Sequence, residues 1–136
     1  KDLIKTAGGK FIAPQKIQSL FTQNPLIGHV HIHGDKQKYV VALLTLEKDE
    51  LYNLRKDHHI ANENFAELSQ HEKIQKLVRN AVSQANSKLA SFETIKRYKV
   101  LDHEFTIEKG HLTPSLKMKR QKIDQMYNDD LKELYL

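Results

Sequence analysis

The chain has 136 residues, 39% hydrophobic and 29% charged, which is the size and balance of one globular domain and not of a disordered tail. Its 22 Lys and Arg against 17 Asp and Glu leave a net charge of +5, which favours anionic partners without choosing between a nucleotide, a phosphorylated cofactor, nucleic acid and an anionic membrane. The absence of cysteine excludes a disulfide framework, a thiolate metal site and a cysteine nucleophile, and fits a reducing, cytoplasmic setting.

In chain order, Leu3–Thr6 and Lys10–Ala13 are short strand-like runs around Ala7-Gly8-Gly9, so a tight hairpin is predicted. Pro14 then opens a helix with Ile17, Leu20 and Phe21 on its apolar stripe, and Asn24-Pro25 stops it. Leu26–His33 and Lys38–Leu46 are the clearest strands, joined by the turn residues Gly34-Asp35-Lys36. In the first, Val30 and Ile32 face one side, and His29, His31 and His33 the other, where they read as an exposed polar face. The second is almost wholly apolar and should be central, covered on both faces. The longest apolar run, Val40–Leu44, is far short of the roughly 20 residues that span a bilayer.

Short helices are expected at Lys48–Lys56 and Glu63–Leu68. A long one follows at Gln70–Phe92, where Ile74, Leu77, Val78, Ala81, Val82, Ala85, Leu89 and Phe92 recur at helical spacing. Ile95–Leu101 reads as a strand and Phe105–Glu108 as a short extended piece. A Thr113-Pro114-Ser115 loop leads into a last helix from about Lys117 to Tyr135. The order predicts an α+β domain with a small, mostly antiparallel sheet flanked by helices and preceded by a β-hairpin.

Two segments use residues that packing alone does not ask for. In the first, Lys1, Lys5 and Lys10 flank Gly8-Gly9, so cationic tips and backbone N–H groups could meet an anion together; the plain alternative is a solvated hairpin. In the second, LTPSLKMKR, cations crowd an expected helix start, against the macrodipole; the plain alternative is a basic surface loop. Alternate histidines such as His29, His31 and His33 can bind zinc or copper, but no carboxylate at fitting spacing completes the set, so no metal site is expected. His58-His59 point apart on a helix, and Ser83, Ser87 and Ser91 lack the glycine-elbow context of a nucleophile. Phosphate loops of the G-x-x-x-x-G-K-[ST] or G-x-G-x-x-G type are missing, so any nucleotide chemistry would take place against another surface.

The segment KDLIKTAGGKFIAP resembles the motif that follows the interdomain junction of the adenylate-forming superfamily, and LTPSLKMKR resembles that superfamily's late lysine motif in its long-chain fatty acyl variant. GHVHIHGDKQKYVVALLTL is similar to the strand pair between them, so the likeness runs along nearly the whole chain. Two departures stand out: Lys16 and Gln18 replace the family's two glutamates after the proline, and Leu116 stands where the general motif has glycine.

The resemblance implies the C-terminal lid domain of an AMP-forming long-chain fatty acid–CoA ligase, spanning 1–136 from the interdomain hinge and lacking the N-terminal domain that would be its partner. It implies ATP with Mg2+ and CoA as the reactants beside a fatty acid. Lys117 would be the adenylation lysine and Lys1 the hinge, while Lys5, Gly8, Gly9 and Lys10 would form the thioester-step hairpin. The isolated domain would be inactive, and the full-length enzyme could associate peripherally with membranes. Rival readings are another acyl-adenylating enzyme (short-chain, or without CoA chemistry), a small basic nucleic-acid-binding module lacking aromatic interleaving, and a metal or interaction domain resting on the histidines alone.

Overall fold

The computed structural model describes residues 2–61 and 64–136. Lys1, the expected hinge, and Glu63, the first residue of an expected helix, lie outside the described residues.

Strands β1 (Ile4–Lys5) and β2 (Phe11–Ile12) pair antiparallel, with Ile4 opposite Ile12 and Lys5 opposite Phe11. The turn closes through Gly9 N–H to the Thr6 carbonyl at 2.9 Å, with Gly9 at φ +83°, a conformation that glycine adopts at little cost. The hairpin is tied to the body by Lys36 N–H to the Lys5 carbonyl (2.8 Å) and Ala7 N–H to the Gln37 carbonyl (2.9 Å). Pro14 then begins α1 (Pro14–Ser19), its fixed φ suited to a position whose N–H would have no helical partner.

The main sheet has the order β3-β4-β5. Strands β3 (Ile27–His33) and β4 (Val40–Leu46) form an antiparallel pair. Strand β5 (Ile95–Val100) lies parallel to β4, which requires a long crossover. Helices α2 (Lys48–Asp57), α3 (Phe65–Ser69) and α4 (Glu72–Asn86) make that crossover. Among the described residues, two of the three strand pairings are therefore antiparallel, in a mixed α/β domain. Every residue of β4 is buried, as its unbroken apolar run requires.

Helix α4 ends at Asn86, short of the expected Phe92. The Asn86 amide donates to the Ile95 carbonyl (3.0 Å) and its oxygen accepts from Ile95 N–H (2.8 Å), so the side chain fastens the helix end to β5. Phe92 falls in a 3-10 turn (Ser91–Glu93), where its ring is exposed and carries the Lys10 ammonium 5.3 Å from its centroid.

Phe105–Glu108 is not extended; it enters a turn closed by Gly110 N–H to the Ile107 carbonyl at 3.0 Å. The expected last helix is two short ones, α5 (Arg120–Met126) and α6 (Asn128–Glu133), separated at Tyr127. Lys117 precedes α5 instead of starting it, because residues 112–118 fold into a tight loop closed by a bridge between Leu112 and Met118.

Two cores cover the sheet. The larger includes Ile12, Ile17, Val30, Ile32, Leu44, Leu51, Ile74 and Val78. The smaller gathers Val41, Leu43, Leu101, Phe105, Leu112, Ile123, Tyr127 and Leu131 under α5 and α6. Each large apolar side chain buried in this way contributes about 1.5–3 kcal/mol. The second core corrects the reading of an exposed histidine face: His31 is fully buried, and His29 and His33 are half-buried.

Candidate functional site

The residues singled out in the sequence fall into two groups on this scaffold. Lys5, Gly8, Gly9 and Lys10 share the β1–β2 hairpin, and all four are exposed. The Lys5 ammonium lies 5.5 Å from the centre of the Phe11 ring, which faces it across the hairpin. Lys10 rests on Phe92 as described. These aromatic faces steady two cations without neutralising them. A Cβ built on Gly8 or Gly9 would meet no atom within 4 Å. Gly9 is set by its left-handed backbone, whereas no described residue fills the space beside Gly8.

Lys117 sits on the other feature, the loop between Leu112 and Met118. Thr113 organises it: its N–H donates to the Lys117 carbonyl (2.8 Å), and its hydroxyl accepts from Lys117 N–H (3.1 Å). Leu116 N–H donates to the Thr113 carbonyl at 2.8 Å. Leu116 itself is 61% exposed at φ +67°, a left-handed conformation that costs a non-glycine residue about 1–2 kcal/mol. The backbone of Lys117 is thereby fixed while its side chain is free, and among the described residues no carboxylate pairs with Lys5, Lys10 or Lys117.

Lys117 flanks a groove of about 350 Å³, lined also by Asp2, Gln15, Gln18, His29 and Arg120. Apart from Asp2 these polar groups are cationic or neutral, a donor set that suits an anion better than a divalent cation. A second groove, of about 540 Å³, shares Asp2 and Arg120 and runs past Asp35, Lys119, Lys122 and Asp124.

Behind the loop, α5 is fastened to the sheet by residues that sequence spacing did not pick out. Asp124 accepts from His31 Nε2 at 2.7 Å and from His33 Nδ1 at 2.9 Å on a single oxygen. Arg120 donates to the Ile32 carbonyl at 2.6 Å. Burial opposes the Asp124 charge, but the two histidine hydrogen bonds outweigh it and hold its carboxyl below the usual carboxylate range. Burial also lowers the His31 pKa, against the pull of Asp124. The buried His31 Nδ1 has no hydrogen-bond partner among the described residues, so a neutral ring that donates from Nε2 suits the site.

The expectation that no carboxylate completes the histidine set is corrected here, since Asp124 does so from 91 and 93 residues away. These three residues offer ligand atoms within 4.8 Å of one another. Their short contacts to one shared oxygen are nonetheless those of a hydrogen-bonded triad. The neighbouring Arg120 cation, and a His31 Nδ1 without the outer partner that metal-bound histidines normally keep, point the same way.

The family model for the AMP-binding enzyme C-terminal domain matches residues 1–136. Among curated proteins, the chain is 28% identical over 136 residues to the long-chain-fatty-acid–CoA ligase FadD15 of Mycobacterium tuberculosis, covering 99% of this chain and 23% of the relative. It is also 28% identical over 138 residues to long-chain-fatty-acid–CoA ligase 5 of Rattus norvegicus, covering 99% and 20%. The chain thus spans about a fifth of the length of these relatives. Among solved structures, it resembles the adenylation domain of a Mycobacterium chelonae carboxylate reductase, with TM-score 0.73 and 25% identity over 98% of this chain and 19% of that one. It also resembles a Mycobacterium tuberculosis fatty acyl CoA synthetase, with TM-score 0.56 and 14% identity over 95% and 20%, a likeness of fold. The chain belongs to the AMP-binding enzyme C-terminal domain family of adenylate-forming enzymes.

Proposed function

We propose that this domain is the mobile lid of a long-chain fatty acid–CoA ligase, working against an N-terminal domain that holds ATP, Mg2+ and the acyl chain. The observation that carries this reading is Lys117: an exposed cation, unpaired among the described residues, on a loop whose backbone is braced by Thr113, in a chain of this family.

In the first half-reaction, a fatty acid carboxylate oxygen attacks the α-phosphorus of ATP, and the bond to pyrophosphate breaks to give acyl-adenylate. Two anions must approach each other, and Lys117 supplies a positive charge between them once the lid has closed and excluded water. In the second, the CoA sulfur attacks the acyl carbon and the carbon–oxygen bond to AMP breaks. The lid then turns about Lys1, withdraws Lys117 and presents the β1–β2 hairpin. Gly8 lines the pantetheine passage, with Gly9 shaping the turn, and Lys5 and Lys10 approach the nucleotide or its phosphates. The empty space beside Gly8 supports this, since a side chain there would meet nothing within the domain.

A second reading keeps adenylation but hands the acyl group to an acceptor other than CoA. The carboxylate reductase adenylation domain, with a higher TM-score than the fatty acyl CoA synthetase, favours it.

The test is AMP release by the full-length parent with ATP, magnesium, palmitate and CoA, for wild type and Lys117→Ala. The substitution should slow adenylation about 10²–10³-fold, as removal of one preorganised charge-stabilising donor does. Thioester formation from supplied acyl-adenylate should persist. Unchanged adenylation would sink the role of Lys117, and adenylation without thioester formation by wild type would select the second reading.

A further inference from the structure

The Tyr127 hydroxyl, in the smaller core where α5 and α6 meet, lies 2.9 Å from His111 Nε2 and 2.6 Å from His103 Nε2. His103 Nδ1 in turn lies 2.8 Å from the Asp102 carboxylate. At the other end, His111 Nδ1 accepts from Thr106 N–H at 3.0 Å. These contacts fix one direction for the protons. With Nδ1 accepting, the neutral His111 ring carries its proton on Nε2 and donates it to the Tyr127 oxygen. The phenol then donates to His103 Nε2, and His103 Nδ1–H donates to Asp102. Each ring nitrogen of the two histidines then has one partner, and the Tyr127 hydroxyl both accepts and donates.

His111 is 1% exposed and Tyr127 9%. The His111 ring is stacked on Phe105, with centroids 4.7 Å apart. Burial lowers the His111 pKa, which keeps the donor arrangement in place. What this chain holds is the base of the Lys117 loop. The His111 carbonyl accepts from Lys119 N–H at 2.8 Å, next to the Leu112–Met118 bridge. Tyr127, the C-terminal cap of α5, thus holds the ring of the residue from whose carbonyl the Lys117 loop is suspended.

We propose that Tyr127, acting through His111, is a positioning residue for Lys117: its hydroxyl sets where the loop places the lysine ammonium. The proposal rests on the adenylation role given to Lys117 above. Loss of the hydroxyl leaves His111 Nε2–H and His103 Nε2 without their shared partner and frees the loop base to shift. A displacement of about 1 Å at a charge-stabilising group can cost as much as 100-fold in rate.

The experiment is a double-mutant cycle in the full-length parent with Tyr127→Phe, Lys117→Ala and the pair, reading the two half-reactions separately. Tyr127→Phe is expected to slow adenylation about 10-fold or more, leave thioester formation from supplied acyl-adenylate within about 2-fold, and add nothing to Lys117→Ala. Equal losses in both half-reactions, or independent losses that multiply in the double variant, would overturn the proposal and leave Tyr127 a core residue. An unaltered adenylation rate for Lys117→Ala alone would instead remove the reading on which it rests. Tyr127→Phe keeps the ring and its packing, so thermal melting of the variant serves as the control for folding.

Discussion

Asp124 and His31 are 93 residues apart in sequence, yet a 2.7 Å hydrogen bond joins them and fastens α5 to the histidine side of β3. His33 shares the same oxygen, so a single carboxylate, about one-third exposed, holds two strand positions. The helix that follows the Lys117 loop is held at its first residue by Arg120 on the Ile32 carbonyl, in its second half by this triad, and at its C-terminal cap by Tyr127.

That anchor makes stability depend on acid in a defined direction. The His31 pKa is lowered in the fold, so an unfolded chain binds its proton more readily, and the stabilisation present above about pH 6.5 is lost as pH falls below it. Asp124 is also lowered, and its contribution, complete above about pH 4, is lost at still lower pH. Both shifts act the same way, as do those of His29 and His111. Chemical denaturation between pH 7.5 and 5 should show stability falling, with a shallower slope for His31→Gln. An unchanged slope would assign the acid loss to the other histidines.

Removal of the carboxylate should also cost stability at neutral pH. Asp124→Ala is expected to lose about 1–2 kcal/mol, reduced from the value for a dry pair because Asp124 is partly exposed. A change below 0.5 kcal/mol (roughly the level of a neutral surface substitution) would show that α5 is held by its apolar contacts alone.

The adjacent glycines should behave differently. Gly9→Ala places a Cβ at φ +83° and should cost about 1–2 kcal/mol in urea melts of this domain. Gly8→Ala should leave the melt within about 0.5 kcal/mol while slowing the thioester step of the full-length parent. Normal thioester formation by the alanine variant would remove Gly8 from the CoA passage.

At Leu116, a glycine should be tolerated or stabilising. Relief of the left-handed strain, about 1–2 kcal/mol, outweighs the added chain entropy of glycine, about 0.5–1 kcal/mol. Denaturant midpoints of Leu116→Gly at or slightly above wild type would agree; a drop of 1 kcal/mol or more would mean that the exposed leucine makes a contact worth more than its strain.

Asn86 offers a fifth check. Its amide satisfies both backbone groups of the buried Ile95, so Asn86→Ala should cost about 1–3 kcal/mol. If the loss is negligible, β5 is held by its pairing with β4 and the helix end is incidental.

Local pattern decided much of this fold. The apolar run of β4, the 3.6-residue period of α4, Pro14 at a helix start and Gly9 in a turn are short-range requirements, and each appears where the chain demands it. The lysines and glycines of the two motifs lie exposed, as residue types that suit solvent and turns do. Tertiary structure decided what depends on residues far apart. Helical period continues past Asn86, but the amide pairing with Ile95 ends α4. The stretch from about Lys117 reads as helix, yet the Leu112–Met118 closure keeps Lys117 off it. The histidine alternation of β3 looks like an exposed face until α5 and α6 cover it. No spacing rule joins His31 to Asp124 or Tyr127 to His111 and His103, because hydrogen-bond partners separated by tens of residues are chosen by packing and not by period.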